Sequence, residues 1–492
     1  MFTKTMQVPL MILTVAVLMT ACMDSTPPAP EESPPPPHLG QGLMAGEATA
    51  TSVIVQARLT QDADLVDGHS PGQTGSGRFE IDSDPGFQNS THSDLLEAVP
   101  GYDFILKHQF TGLKPGTDYY YRLHFGSGQH TDQSSDTATF RTLPGTEGTD
   151  EVSFVAVTGM NYYHHYFGKY EAAAAYTGED KALGYPALEA ITNLGPDYFV
   201  GTGDNVYFDH PNKRQFERAM QDGKDPAPGY FDGEEVTDEY GMRRKYHLQF
   251  SQPRFKELFA SMATYWEKDD HDYRINDSDP YTDFPISHEL GIRNFREQLP
   301  VTPPREPDAV TYRTHRMNQD LQIWLLEGRD YRSDNKMRDG PEKTLWGKAQ
   351  LAWLKNTLLA SDATFKIIIS PTPLVGPDDA YKTDNHVNHD GFRHEGDGFH
   401  AWLKESGLID NNLYLVCGDR HWQYHAMHPG GVEEFSTGAL VDNNSRAGRL
   451  AGDPKSTDPD ALIKQFYIQG TPEEATGGFL HVSVNRDSGE PT

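Results

Sequence analysis

Three apolar runs that each stop at an aspartate constrain this chain most. Residues 198–200, 263–266 and 413–417 are apolar at consecutive positions. Consecutive rather than alternating apolarity marks a strand buried on both faces, as in the parallel sheets of α/β folds. The runs lead into Gly203-Asp204-Asn205-Val206-Tyr207, Asp269-Asp270-His271-Asp272 and Gly418-Asp419-Arg420-His421-Trp422. A fourth run, 321–326, leads into Gly328-Arg329-Asp330-Tyr331-Arg332. Ligands of open α/β sheets bind beyond the carboxyl ends of the strands. Carboxylate, imidazole and phenol groups gathered there describe a metal site. One Gly-Asp after a strand is weak, because Asp is also a common helix N-cap. Four such ends together are not.

The same texture holds from Val152 onward. Segments 152–157 and 365–370 read as strands, 186–193 as a short helix, and 343–361 as an amphipathic helix with Trp346, Leu351, Leu354 and Leu358 on its apolar side. Residues 478–484 read as a further strand. Residues 39–143 differ. They alternate apolar and polar side chains at period two, with turn signals between the runs, as in an antiparallel sandwich. The stretch Leu113-Lys114-Pro115-Gly116-Thr117-Asp118-Tyr119 resembles the fibronectin type III signature, with Tyr119 as its tyrosine corner. Residues 143–148 are a Gly-rich linker. The expected domains are therefore a fibronectin- or immunoglobulin-like all-β sandwich at 39–143 and an α/β domain at 150–492.

The N-terminus reads as a targeting segment. Lys4 precedes an apolar run at 8–20, shorter than the ~20 residues that span a bilayer. Met19-Thr20-Ala21-Cys22 resembles a lipobox, which implies a signal peptide at 1–22 and a lipid on Cys22. Met23 after that cysteine resembles outer-membrane sorting, so the expected location is exported: periplasmic, outer-membrane or cell-surface. The Pro-rich stretch 23–38 is expected to be an extended stalk. Asp+Glu number 72 against 42 Lys+Arg, a net charge of −30, which argues against a stable nucleic-acid complex. Cys22 and Cys417 are the two cysteines, so no disulfide framework is expected.

Residues 150 to about 485 resemble the PhoD-like alkaline phosphatase and phosphodiesterase family, within the calcineurin-like metallophosphoesterases. The motifs that carry the resemblance are Gly-Asp-x-x-Tyr at 203–207, Trp-x-x-Asp-Asp-His-Asp at 266–272 and Gly-Asp-Arg-His-Trp at 418–422. The resemblance implies a sandwich of two mixed sheets flanked by helices, and an N-terminal sandwich domain ahead of it. It implies two or more metal ions, of iron, calcium, manganese or zinc, held by Asp204, Tyr207, Asp270, Asp419 and His421. Asp204 would bridge, His271 would protonate the leaving oxygen, and Asp272 would orient His271. Arg329 and Arg332 are candidate phosphate contacts. Such a centre activates water and clamps phosphoryl oxygens for in-line attack.

One departure is local. Where the family places a ligand cysteine, this chain has Thr158-Gly159-Met160-Asn161. The expectation is that Asn161, or else His164 or His165, replaces it, or that the site holds one metal fewer. Cys417 reads as core packing. The segment 382–395, with His386, His389, Asp390, His394 and Glu395, reads as a hydrated loop or as further substrate or metal contacts. The charged insertion 212–246 is expected to cap the pocket rim. The expected substrates are small-molecule, lipid or teichoic-type phosphate esters, and the expected state is a monomer. The competing expectations are a non-catalytic surface lipoprotein on the same fold and a related sulfatase or ester hydrolase.

Overall fold

The continuous apolar runs form parallel strands buried on both faces. In the Val152–Val157 strand, Phe154 and Ala156 enter a core between two sheets, whereas Val155 and Val157 enter a helical layer outside. The structure is a computed structural model and describes Met1 and residues 35–168, 175–221 and 236–484. The expected signal segment, Cys22, most of the stalk and part of the 212–246 insertion lie outside the described residues. Pro35–Thr492 is one compact unit.

Two seven-stranded mixed sheets face each other. The first runs Leu480–Val484, Val152–Val157, Tyr198–Thr202, Ala263–Glu267, Leu43–Gly46, Ser52–Arg58, Ile105–Thr111. The second runs Arg313–Arg316, Leu321–Leu325, Phe365–Ser370, Leu413–Cys417, Glu433–Thr437, Gln423–Met427, Lys464–Ile468. Each is parallel at its centre. Val200 and Tyr265 from the first sheet meet Ile323 and Ile367 from the second in the shared core. Helices Pro186–Leu194, Glu239–Phe250, Pro253–Phe259 and His288–Gln298 cover the first sheet through Leu188, Met242, Phe255 and Phe295. Helices Gly347–Ala360 and Arg393–Glu405 cover the second through Leu354, Leu358, Phe399 and Leu403. The expected two-sheet sandwich flanked by helices is the fold observed.

The N-terminal β segment carries the expected tyrosine corner, for Lys114 N–H donates to Tyr119 Oη at 3.0 Å. Its strands divide between two sheets. Gly75–Asp82 and Asp118–Gly126 centre a separate antiparallel sheet. Leu43–Gly46 instead pairs in parallel with Ala263–Glu267, so the first sheet runs across the boundary expected at 143–150. Thr264 Oγ1 donates to Ala45 O at 2.9 Å and Tyr265 Oη to Ala48 O at 2.7 Å. Lys107 Nζ donates to the carbonyls of Arg296, Glu297 and Leu299 at 2.8–3.2 Å, satisfying the C-terminal end of the His288–Gln298 helix. Among the described residues no helix is long and apolar enough to cross a membrane.

Candidate metal centre

The centre lies where the parallel strands of both sheets end. Gly418 is needed because a Cβ there would lie 2.5 Å from Thr202 O and 3.0 Å from Pro371 O. The absent side chain lets the two sheets' strand ends abut. Immediately beyond, Asp204 and Asp419 both hold φ of 55°, a left-handed conformation that non-glycine residues adopt at a cost. That turn swings each carboxylate off its strand.

Asp204 is 1% exposed. Its Oδ2 accepts from Tyr207 Oη at 2.9 Å and lies 3.0 Å from His421 Nε2, with Tyr207 Oη and His421 Nε2 3.3 Å apart. Its Oδ1 is buried with no hydrogen-bond partner. Asp204, Asp270 and His271 each offer one ligand atom within 4.8 Å of the others. Burial pushes the Asp204 carboxyl well above the usual range, and Asp270, Asp272 and Asp419 add to that against His271. Burial also raises Tyr207. Asp270 ends below its usual value, because His271, Arg329 and Lys382 outweigh burial. Asp419 is paired with the Arg420 guanidinium, which also holds Asp378. A buried carboxylate oxygen with no donor, beside a phenol, an imidazole and further carboxylates, fits a hard or borderline cation. Of the six expected ligands, Asp204, Tyr207, Asp270 and His421 are thus brought together, and Asp419, paired with Arg420, acts on Asp204 through its charge.

Asn161, the sixth, does something else. It is the N-cap of the Tyr162–Phe167 helix, its Oδ1 accepting from His164 N at 3.0 Å, and its Nδ2 lies 2.6 Å from His210 Nδ1. Both ends of the amide are engaged. Gly159, with φ of 66°, has no room for a side chain: a Cβ would lie 2.8 Å from Ala439 Cβ and 3.0 Å from its Cα. Asn444 occupies the neighbouring space. Its Nδ2 donates to Tyr207 Oη at 2.9 Å and to Gly159 O at 3.2 Å, and its Oδ1 lies 2.8 Å from His164 Nδ1. Cys417 is fully buried in its strand, with Sγ 3.3 Å from Tyr424 Oη.

The expected partner of His271 also changes. Asp209, not Asp272, holds it, with Oδ1 2.7 Å from His271 Nδ1 and Oδ2 accepting from Asn276 N at 3.0 Å. Burial would lower the imidazole, but Asp209, Asp270 and Asp204 outweigh it and raise its pKa well above the ordinary value. Asp272 clamps the loops instead. Its Oδ1 accepts from the N–H groups of Asp204 and Asp269, its Oδ2 from Asn205 N and Nδ2, at 2.6–3.2 Å. Burial pushes it up to about 6 against those bonds.

Arg329 and Arg332 are buried beside the centre, and the Nη2 atom of each has no hydrogen-bond partner. Arg329, fully buried, bonds Asp269 Oδ1 through Nε at 2.7 Å and Ser278 O through Nη1 at 2.9 Å. Arg332 donates to Gly328 O at 2.6 Å and Asp384 O at 2.9 Å. The 382–395 segment divides. His386 pairs with Glu395 at 2.9 Å, and Glu395 accepts from Leu345 N and Trp346 N, which is loop architecture. Lys382 and Asp384 face the centre. Lys382 and Asp384 fall in the segment read as possible substrate or metal contacts, whereas Asp209, Asp277 and Asn444 carry no local motif and only tertiary structure brings them in.

A family model described as PhoD-like phosphatase matches residues 154–473, and one for the PhoD-like phosphatase N-terminal domain matches residues 24–144. Alkaline phosphatase D of Bacillus subtilis (strain 168) is 23% identical over 460 residues, covering 86% of this chain and 72% of that protein. A solved structure of PhoD superposes with a TM-score of 0.70 at 19% identity, over 93% of this chain and 86% of that one. The purple acid phosphatase PPD1 from yellow lupin seeds gives 0.53 at 11% identity, over 91% of this chain and 70% of that one.

Proposed function

Because the chain belongs to the PhoD-like phosphatase family of phosphoric ester hydrolases, we propose that it hydrolyses phosphomonoesters, phosphodiesters or both at the Asp204 centre. The observation that carries this is the Asp204 carboxylate, one oxygen shared by Tyr207 and His421, the other buried without a partner. Asp204, Tyr207, Asp270, Asp419 and His421 would hold the cations. Their oxygen and nitrogen atoms suit iron, calcium, manganese or zinc. When bound, the cations supply an activated water nucleophile and neutralise the phosphoryl oxygens.

The chain's own residues do the remainder. Asp209 fixes Nδ1 of His271 and balances its charge, which leaves Nε2 to hand a proton to the departing ester oxygen. Asp272 keeps the Asp204 turn in register. Arg329 and Arg332 offset part of the carboxylate charge from within the loop layer. The targeting segment, with Cys22 after Met19-Thr20-Ala21, supports an exported and lipid-anchored enzyme. It would act as a monomer on small, lipid-linked or teichoic-type esters.

The test is steady-state hydrolysis of p-nitrophenyl phosphate, its bis ester and a sulfate ester, before and after chelation. Phosphoester turnover that chelation abolishes and added cation restores is expected. Stoichiometric cation with no hydrolysis of any phosphoester would instead make the chain a non-catalytic lipoprotein, and preference for the sulfate ester would make it a sulfatase.

A further inference from the structure

Asp270 belongs to a second carboxylate group as well. One oxygen each of Asp270, Asp277 and Asp384 lies within 4.8 Å of the others. Asp277 takes a left-handed φ of 55°, and its N–H donates to Asp270 Oδ2 at 2.6 Å. Asp384 is 1% exposed, and neither of its carboxylate oxygens has a hydrogen-bond partner. The cationic groups nearest to it stand back: Lys382 Nζ is 4.0 Å from Oδ1 and Arg329 Nη2 is 4.0 Å from Oδ2. A carboxylate desolvated with no donor is costly, and both Asp384 oxygens are in that state. With one oxygen each from Asp270 and Asp277 beside them, they suit a divalent cation that takes oxygen ligands at about 2.3–2.6 Å.

Lys382 contests that place. Its Nζ is 2.6 Å from Asp277 Oδ1, and its side chain is 11% exposed. Arg329 and Arg420, by contrast, are fully buried and fastened to Asp269, Asp378 and Asp419. A lysine ammonium is a compact charge on a flexible stem, so it can hold a carboxylate or leave it without disturbing the backbone.

We propose that Lys382 is a tethered counter-cation of the Asp270–Asp277–Asp384 group, filling the charge position a divalent cation otherwise takes. Lys382 thereby sets how many cations the centre holds. The inference rests on the metal-dependent reading above, but its readout is a cation count rather than turnover, so a failure of hydrolysis leaves it testable.

The experiment compares the full chain with K382M, K382R and K382M/D384N. Each is equilibrated with calcium, freed of unbound ion and analysed by elemental mass spectrometry. K382M is expected to hold about one more calcium per chain than the parent, because a ligand set of three carboxylates is released. K382R should match the parent, and K382M/D384N should fall back to the parent count. Equal calcium in K382M and the parent overturns the proposal. If K382M folds poorly without added ion, its thermal midpoint is followed against calcium concentration. A larger calcium-dependent rise than the parent's supports the proposal, and a rise no larger contradicts it.

Discussion

Replacing Asp209 by Asn separates proton delivery from the rest of the centre. Asp209 Oδ1 and His271 Nδ1 are 2.7 Å apart, with side chains each 8% exposed, so the pair is shielded from solvent screening. D209N keeps the volume but removes the charge that holds the imidazole protonated. A positioned general acid is worth roughly 10²–10⁴-fold. Loss near the middle of that range is about 4 kcal/mol at 1.36 kcal/mol per tenfold. The loss should depend on the leaving group. An alkyl phosphate, whose alkoxide needs the proton, should lose about 10³-fold in kcat, whereas p-nitrophenyl phosphate should lose about tenfold or less. The assay is steady-state kcat on both esters for the parent, D209N and D272N, with cation content measured alongside. D272N should behave differently: an amide leaves two of the four donors to Asp272 unmatched, at about 1–3 kcal/mol each. Its deficit should appear in denaturation and cation retention, equally for both substrates. Leaving-group dependence in D272N but not in D209N would refute the assignment of Asp209 as the orienting group.

Three further outcomes follow from the same structure. G159C should destabilise the fold by roughly 2–5 kcal/mol in urea denaturation, from left-handed strain plus the contact with Ala439. A variant as stable as the parent would show that the site tolerates a thiol. Trp266→Ala, which removes a fully buried ring packed edge-on and tilted against Phe199, Phe250 and Phe259, should cost about 3–5 kcal/mol in the same assay. Burial raises Glu80, but hydrogen bonds from Ser90, His124 and Arg122 overcome it and hold the carboxyl at about 2, below its ordinary 4.5. A depressed carboxylate stabilises the fold above the unfolded value, and that stability is lost as pH falls from 4.5 through about 2. E80Q should therefore unfold with a shallower pH dependence in that window, and an unchanged slope would count against the assignment.

The strands of the α/β portion were legible because two-sided burial writes itself into consecutive apolar residues. Val152–Val157, Phe365–Ser370 and Leu413–Cys417 fall where expected. The pairing of Leu43–Gly46 with Ala263–Glu267 was not legible, since it joins residues more than 200 apart and leaves no local periodicity. The candidate ligands in the motifs could be picked out because each motif follows its strand directly. Asp272 was misread for the same reason: adjacency to His271 in sequence suggested contact, yet its carboxylate binds the backbone of two neighbouring loops. Asp209 reaches the imidazole only because the 204–209 turn folds back. Arg329 and Arg332 read as anion contacts because they follow a strand end; what the sequence could not give is their burial and the bonds that fix them, Arg329 to Asp269 and Arg332 to the carbonyls of Gly328 and Asp384.

The central claim is that Asp204 organises a cation centre that cleaves phosphate esters. The most direct measurement is cation content and p-nitrophenyl phosphate turnover on the same preparations of the parent and D204A. The account predicts a folded D204A that has lost at least one cation equivalent per chain and whose kcat/KM has fallen by at least about 10³-fold, since both the shared ligand and the activated water go with it. Parent-like turnover in D204A, or full cation content with turnover intact, would contradict it.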